Sequence, residues 1–469
     1  MRLLTSALLM SCVILGAVAE EAPETVRFKE EQYKRIHQEA LRQIVDNNAQ
    51  GSVEALLKYL KKHPHDFETH YCLAAGYGAL GEPQKALEYL APFWVEESDY
   101  RDRILIGLNA ALAPVKTAFL EKYPEAETGL AGVLSGPMLG DIQATGIRVW
   151  VRSGAEVPMT VCVRPIPDGD VTAITIQPRS TLDYTAEATI TGLTPETDYE
   201  YWIVAGDRVS GEPLTDHFNF STPVLSGTPT RFRAVFGGGA GYVPQHEYAW
   251  NTVRAVNPDM LLLLGDNIYS DDPTRLPVVN YSYYRRQSRP EFRQVIANTP
   301  VYAVWDDHDF GTNDCLGGAE LDVPAWKGPV WNNFKNNWVN PYYGGGEESR
   351  ACYFNFTYGD VEFFMLDSRY YRTAPFKEDS TMLGPIQKAW LKDKIAASRA
   401  TFKVICTPVP WSMGVKPTND PIQPYSGDTW DGFANEREEL NQFIDQHNID
   451  GIVILAADRH RRLAGVVRG

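Results

Sequence analysis

Val301-Tyr302-Ala303-Val304-Trp305-Asp306-Asp307-His308-Asp309-Phe310-Gly311-Thr312-Asn313-Asp314 changes character at one point. Apolar residues, mostly β-branched or aromatic, read as a buried strand, and the chain then runs into carboxylates and an imidazole. The same switch recurs elsewhere. Phe232–Phe236 runs into Gly237-Gly238-Gly239, and Met260–Leu264 into Gly265-Asp266-Asn267-Ile268-Tyr269. Val361–Leu366 runs into Asp367-Ser368-Arg369, and Ile452–Leu455 into Ala456-Ala457-Asp458-Arg459-His460. Phe402–Cys406 is one more apolar run, and helical patterns over Gln245–Val256, Gln387–Ser398 and Asn435–His447 lie between the strands. Short apolar strands alternating with helices predict a layered α/β domain over residues 230–469, its strands covered on both faces.

In open α/β sheets ligands bind beyond the carboxyl ends of the strands. The polar loops should therefore converge on one edge of one sheet. Carboxylates gathered that closely repel one another, and hard cations that prefer oxygen donors relieve the repulsion. Each element alone has a bland reading: Gly-Asp after a strand is a common turn, Asp-x-His is a weak pattern, and Asp306–Asp309 reads as an acidic surface loop. Five such loops in one domain, each after a strand, point to a metal site.

Three segments precede this domain. Residues 1–19 read as a secretory leader, with Arg2, an apolar stretch from Leu3 to Gly16 and the small-residue site Ala17-Val18-Ala19, so export to the periplasm or the outside is expected. Residues 26–126 are helical in pattern. Tyr71–Gly81, a turn at Gly81-Glu82-Pro83 and Ala86–Leu90 together resemble one tetratricopeptide unit, which suggests a protein partner for this segment. Residues 133–226 switch to alternating strands, Ile147–Arg152 and Thr160–Arg164 among them. Thr189–Tyr201 resembles the tyrosine corner of an immunoglobulin- or fibronectin-type β-sandwich.

The 469 residues suit two to four domains, and the net charge of −16 disfavours a sequence-independent nucleic-acid surface. No stretch after the leader is long and apolar enough to span a bilayer. Without Cys12 in the leader, five cysteines remain. Cys315 and Cys352 are a candidate pair, with buried free thiols the alternative.

The order of the motifs resembles the PhoD-type alkaline phosphatases of the wider metallophosphoesterase, or calcineurin-like, superfamily. It runs Gly-Asp-x-x-Tyr, then Trp-Asp-Asp-His-Asp with Asn five residues after the His, then Leu-Asp-Ser-Arg, then Asp-x-His. The resemblance covers residues 133–469 and implies a β-sandwich ahead of a catalytic domain. It also implies a site holding Fe3+ and Ca2+. Asp266 matches the bridging carboxylate, Tyr269 the iron-bound tyrosinate, Asn313 the amide on the calcium side, and Asp458 and His460 the last ligand pair. Asp307 and His308 stand where the superfamily places a ligand and a phosphate-facing histidine. Arg369 is the expected phosphate contact, with an ion pair to a site carboxylate as the alternative; Arg459 and Arg461 are further candidates. The implied reaction is attack on phosphorus by a water that the cations activate, with His308 as proton donor to the leaving oxygen.

Two departures stand out. The family's cysteine ligand to iron is replaced by Gly237-Gly238-Gly239, so Mg, Mn, Zn or Ca becomes an alternative to iron, and neither Tyr242 nor His246 lies at the matching place. Residue 469 follows His460 by only nine positions, where the family continues with more strands, so a fragment is expected at this end. The expected function is an exported phosphoesterase acting on small phosphate monoesters or diesters. The alternative is an inactive metal-binding surface protein that acts through its helical and β-sandwich parts. A zinc peptidase lacks the H-E-x-x-H it would need.

Overall fold

The structure, a computed structural model, describes residues 24–91, 98–106, 111–243, 246–412, 414, 417–419 and 425–459. The expected leader, His460 and Arg461 lie outside the described residues. Among the described residues no helix is long and apolar enough to cross a membrane.

The first segment is helical: α1 (Glu24–Val45), α2 (Ala49–Leu60), α3 (Phe67–Ala79), α4 (Pro83–Leu90), α5 (Ser98–Ile106), α6 (Ala113–Lys122) and the short α7 (Glu127–Leu130). The turn between α3 and α4 is built as its residues require. Gly81 takes φ +76°, which side chains disfavour, and Pro83 opens α4 at a position where its missing N–H costs nothing. Glu68 of α3 and Arg103 of α5 form a forked ion pair (2.6 and 2.9 Å) with no solvent exposure. A charge buried this deeply needs a partner, and this one also binds the hydroxyl of Tyr281 from the third segment.

Seven strands follow, in two antiparallel sheets. β1 (Ser135–Gln143), β2 (Gly146–Arg152) and β5 (Thr185–Thr191) make one, in the order β1-β2-β5. β3 (Met159–Pro165), β4 (Thr172–Ile176), β6 (Asp198–Ala205) and β7 (Phe218–Ser221) make the other, in the order β4-β3-β6-β7. The hydroxyl of Tyr199 accepts from the backbone N–H of Thr194 at 2.8 Å. Buried polar bonds fasten these sheets to the last segment: Tyr201 donates to Ala297 O (2.6 Å), Trp150 to Asn336 O (3.0 Å), and Arg152 to Gln287 and Asn337 (2.6 and 2.9 Å).

The last segment contains two sheets, which corrects the expectation of one. β8 (Ala234–Gly237), β9 (Met260–Leu264) and β10 (Val301–Val304) are parallel in the order β10-β9-β8. β11 (Phe354–Tyr358), β12 (Val361–Met365), β13 (Phe402–Thr407) and β14 (Ile452–Ala456) form the second, parallel except that β11 runs against β12. Helices make the crossovers that parallel strands need. α8 (Ala249–Val256) leads to β9, α9 (Leu276–Ser288) and α10 (Pro290–Ile296) to β10, α13 (Gly384–Ala397) to β13, and α14 (Ala434–Gln446) to β14. The short α11 (Asp307–Phe310) and α12 (Lys327–Asn337) lie between β10 and β11.

Side-chain alternation explains the layering. Phe363, Met365, Val404 and Cys406 enter the core shared with the first sheet, where Tyr302 of β10 stacks on Phe356 of β11 at 3.6 Å. Phe364, Leu366 and Ile405 point the other way, into a second cluster with Leu391 and Ile395 of α13 and Leu440 of α14. Both faces are apolar because both are covered, as the uninterrupted runs predicted. Cys315 and Cys352 are not bridged, and all five cysteines among the described residues are free thiols.

Candidate metal centre

The carboxyl ends of the two sheets face one another, and glycines allow it. A Cβ on Gly265 would lie 2.5 Å from the Cβ of Asp306, which joins the ends of β9 and β10. A Cβ on Gly238 would lie 2.6 Å from the Cβ of Ala457 and 2.8 Å from Gly265 O, where β8 meets the end of β14. Position 238 therefore has no room for a cysteine. Tyr242 is not a substitute, because it is buried with the Arg285 guanidinium 4.4 Å from its ring centre. His246 is exposed.

Asp266, Asp307 and His308 bring one ligand atom each to within 4.8 Å of one another. Asp266 is buried, in a left-handed conformation (φ +52°) just after β9. Its Oδ2 accepts from the Tyr269 hydroxyl at 3.3 Å, while Oδ1 is buried with no hydrogen-bond partner. Burial and the neighbouring carboxylates of Asp306, Asp307 and Asp309 push its carboxyl well above the usual range. Burial also pushes Asp306 up to about 8, although Arg369 opposes the shift. At Asp307 burial is outweighed by Arg369 and His308, so its carboxyl stays below the usual value. Carboxylates that hold protons this tightly, Asp266 and Asp306 each with an orphaned oxygen, form a donor set that a hard cation fits.

The site is stitched by residues that spacing alone did not single out. Asp309 accepts from the backbone N–H groups of Asp306 (3.0 Å), Asn267 (3.2 Å) and Ile268 (2.9 Å), tying the β9 loop to the β10 loop. Asp306 and Asp309 form a capping box at the start of α11, a pattern that Asp-x-x-Asp after a strand carries in outline. Asp271 accepts from His308 Nδ1 at 2.5 Å, and burial of the ring is outweighed by this bond and the carboxylates around it, so the imidazole pKa lies above its ordinary value. The Tyr269 ring lies 4.4 Å from the His308 ring. Asp428, which has no motif around it, pairs with Arg369, and the carboxylates of Asp307, Asp314 and Asp428 lie within 4.8 Å of one another.

Arg369 is fully buried and already occupied. It donates from Nε to Asp306 (2.5 Å) and from its terminal nitrogens to Asp428 (2.6 and 3.3 Å). This is the geometry of the ion-pair reading. Asn313 is exposed on the loop between Asp307 and Asp314, and Asp458 is half-buried after β14 with φ +59°. Arg459 follows it with a buried Nε that has no hydrogen-bond partner.

A family model described as PhoD-like phosphatase matches residues 234–468. Alkaline phosphatase D of Bacillus subtilis (strain 168) is 24% identical over 316 residues, covering 57% of this chain and 52% of that protein. The chain thus spans about half the length of the curated relative it matches. A solved structure of PhoD is similar with a TM-score of 0.60 and 20% identity, over 70% of this chain and 71% of that one. Purple acid phosphatase PPD1 from yellow lupin (Lupinus luteus) seeds is similar with a TM-score of 0.50 and 13% identity, over 70% and 59%. At these identities the two structures speak for the fold.

Proposed function

Because the chain belongs to the PhoD-like phosphatase family, we propose that it is a metal-dependent phosphoesterase that hydrolyses small phosphate monoesters or diesters. The observation that carries the reading is the meeting of Asp266, Asp307 and His308 within 4.8 Å, with one buried Asp266 oxygen unpartnered. Asp266, Tyr269 and Asp307 would hold the cation, joined by Asn313, Asp458 and His460 as the family pattern implies. The donors are oxygen and imidazole, and Gly237-Gly238-Gly239 carries no cysteine, which favours Ca, Mg, Mn or a ferric ion held by Tyr269 over a thiolate site. Bound there, such cations supply charge for phosphate oxygens and a lowered pKa for water.

The side chains divide the remaining work. With Nδ1 donating to Asp271, His308 has Nε2 left to give a proton to the leaving oxygen. Asp309 keeps the two ligand-bearing loops in register. Arg369 is assigned to holding Asp306 and Asp428 rather than the phosphate, since its donors face them. The N-terminal stretch 1–19 supports export.

The test is hydrolysis of p-nitrophenyl phosphate and its bis ester by the purified full chain, before and after chelation. Loss on chelation and recovery with added cation is expected. Activity on neither ester with calcium and iron supplied overturns the reading. Asp266→Asn should abolish turnover while the protein stays folded, and unchanged turnover would refute the site.

A further inference from the structure

The loop 269–275 leaves the candidate site with three successive carbonyls that the strand edge does not satisfy, and α1 satisfies them. Gln38 Nε2 donates to Tyr269 O. Arg42 donates from its Nη2 to Ser270 O and Asp271 O, both at 3.2 Å, and from Nε to the buried Asp272 carboxylate at 3.0 Å. One turn on, Asp46 accepts twice from Arg275 at 2.9 Å. The far side of the loop is bound to His308, whose carbonyl accepts from Ser270 N (3.2 Å) and Ser270 Oγ (3.1 Å). The gripped carbonyls belong to Tyr269, Ser270 and Asp271, which include the residue whose ring lies tilted 4.4 Å from that of His308 and the residue bonded to its Nδ1. A carbonyl that leaves water without a partner is costly, so α1 satisfies one side of this stretch while His308 holds the other.

Buried polar bonds fasten the helical segment to the third segment. The Glu68–Arg103 pair fixes α3 to α5, and Tyr281 of α9 joins it, so the helical segment and the helix that follows the loop share one buried polar cluster. Residues 38, 42 and 46 lie outside the stretch matched by the family model.

We propose that α1 is a clamp built into this chain, in which Gln38 and Arg42 are positioning residues that hold Tyr269 and the Asp271–His308 pair in working geometry. The proposal rests on the phosphoesterase reading for its kinetic consequence and on geometry alone for its structural one. Gln38→Ala, Arg42→Ala and the double variant are compared with the parent chain and with Gln50→Ala, whose side chain bonds only Glu54 on the surface of α2. Hydrogen exchange at 269–275 should quicken at least tenfold in the double variant with no change in α3. For p-nitrophenyl phosphate, kcat should fall at least tenfold with KM within threefold, and Arg42→Lys, which keeps the cation without the fork, should recover part of kcat. If Arg42→Ala does not fold, Gln38→Ala alone carries the same expectation at smaller size. Unchanged exchange at 269–275 overturns the clamp. Faster exchange with unchanged kcat overturns its positioning role. A parent chain without esterase activity overturns the phosphoesterase reading, and the exchange result then decides the clamp.

Discussion

Arg369 and Asp428, 59 residues apart in sequence, meet as a two-pronged ion pair at 2.6 and 3.3 Å with neither side chain reaching solvent to any extent. The remaining prong of the guanidinium, Nε, holds Asp306 at 2.5 Å. Asp306 thus depends on Arg369, while Asp428 is shared with the buried Arg372 at 2.8 Å, and Asp307 stands 3.8 Å from Arg369.

Removing that cation is expected to be expensive. Arg369→Met leaves the buried Asp306 without its cation and Asp428 with Arg372 alone, and breaking a buried pair from one side costs about 3–5 kcal/mol. Asp428→Asn should cost less, because Arg369 keeps Asp306, Arg372 keeps Gly427 O, and the amide oxygen can still accept from either guanidinium. Urea denaturation of both variants checks the order. A phosphate-binding Arg369 would behave differently, with stability within about 1 kcal/mol of the parent and a raised KM, and that result would reassign the residue.

Asp309 makes a second prediction. Its two oxygens accept backbone N–H groups from both loops, and an amide in its place would turn a donor toward a donor. Asp309→Asn should lose about 1–3 kcal/mol for the unsatisfied N–H. Turnover should fall although Asp309 touches no ligand position. Equal stability and turnover in the variant would show that the loops hold their register without it.

How much of this was legible beforehand depended on the kind of residue. The strands at 260–264 and 301–304 were visible because burial on both faces leaves uninterrupted apolar runs. Phe354–Tyr358 was not read as a strand although it alternates, since it runs antiparallel at a sheet edge and no polar loop marks its end. α9 is hard to read from sequence because all of it but Leu276, Pro277 and Asn280 is buried, arginines and tyrosines included, and so lacks an apolar stripe. The division into two sheets was also hidden, because strand order within a sheet leaves no trace in local pattern. Asp266, Asp307 and His308 are legible as candidates because they follow strands directly. Asp271, Asp428 and Arg42 are not, since each acts through a contact that only the folded chain creates.

Lys327 supplies a test that stands apart from the site. It is buried, donates to Gly318 O (3.2 Å) and Glu320 O (2.5 Å), and lies 4.3 Å from the Tyr370 ring centre. Burial lowers its ammonium to about 8, with Asp367 opposing the shift. Between that value and the roughly 10.4 of an unfolded lysine, the unfolded chain binds more protons, so the contribution of Lys327 to stability rises with pH across this window. Thermal melts of the parent and Lys327→Met from pH 7.5 to about 10 should show the difference moving in favour of the parent as pH rises. A constant difference would mean that the lysine keeps its ordinary affinity for the proton.

Cation removal gives the last prediction. Asp266 has an orphaned buried oxygen and Asp306 another, so the site is costly to hold with its carboxylates charged. A cation that binds only the folded chain adds stability by mass action, about 2.7 kcal/mol when free cation is 100 times its dissociation constant. Melting in chelator should therefore occur at lower temperature than melting in millimolar calcium or manganese. Asp266→Asn removes one charge and one strong ligand, so its melting temperature should respond little to either treatment. A parent chain that melts at one temperature under all conditions would leave the carboxylates paired by protons and arginine alone, and the metal reading would fall with it.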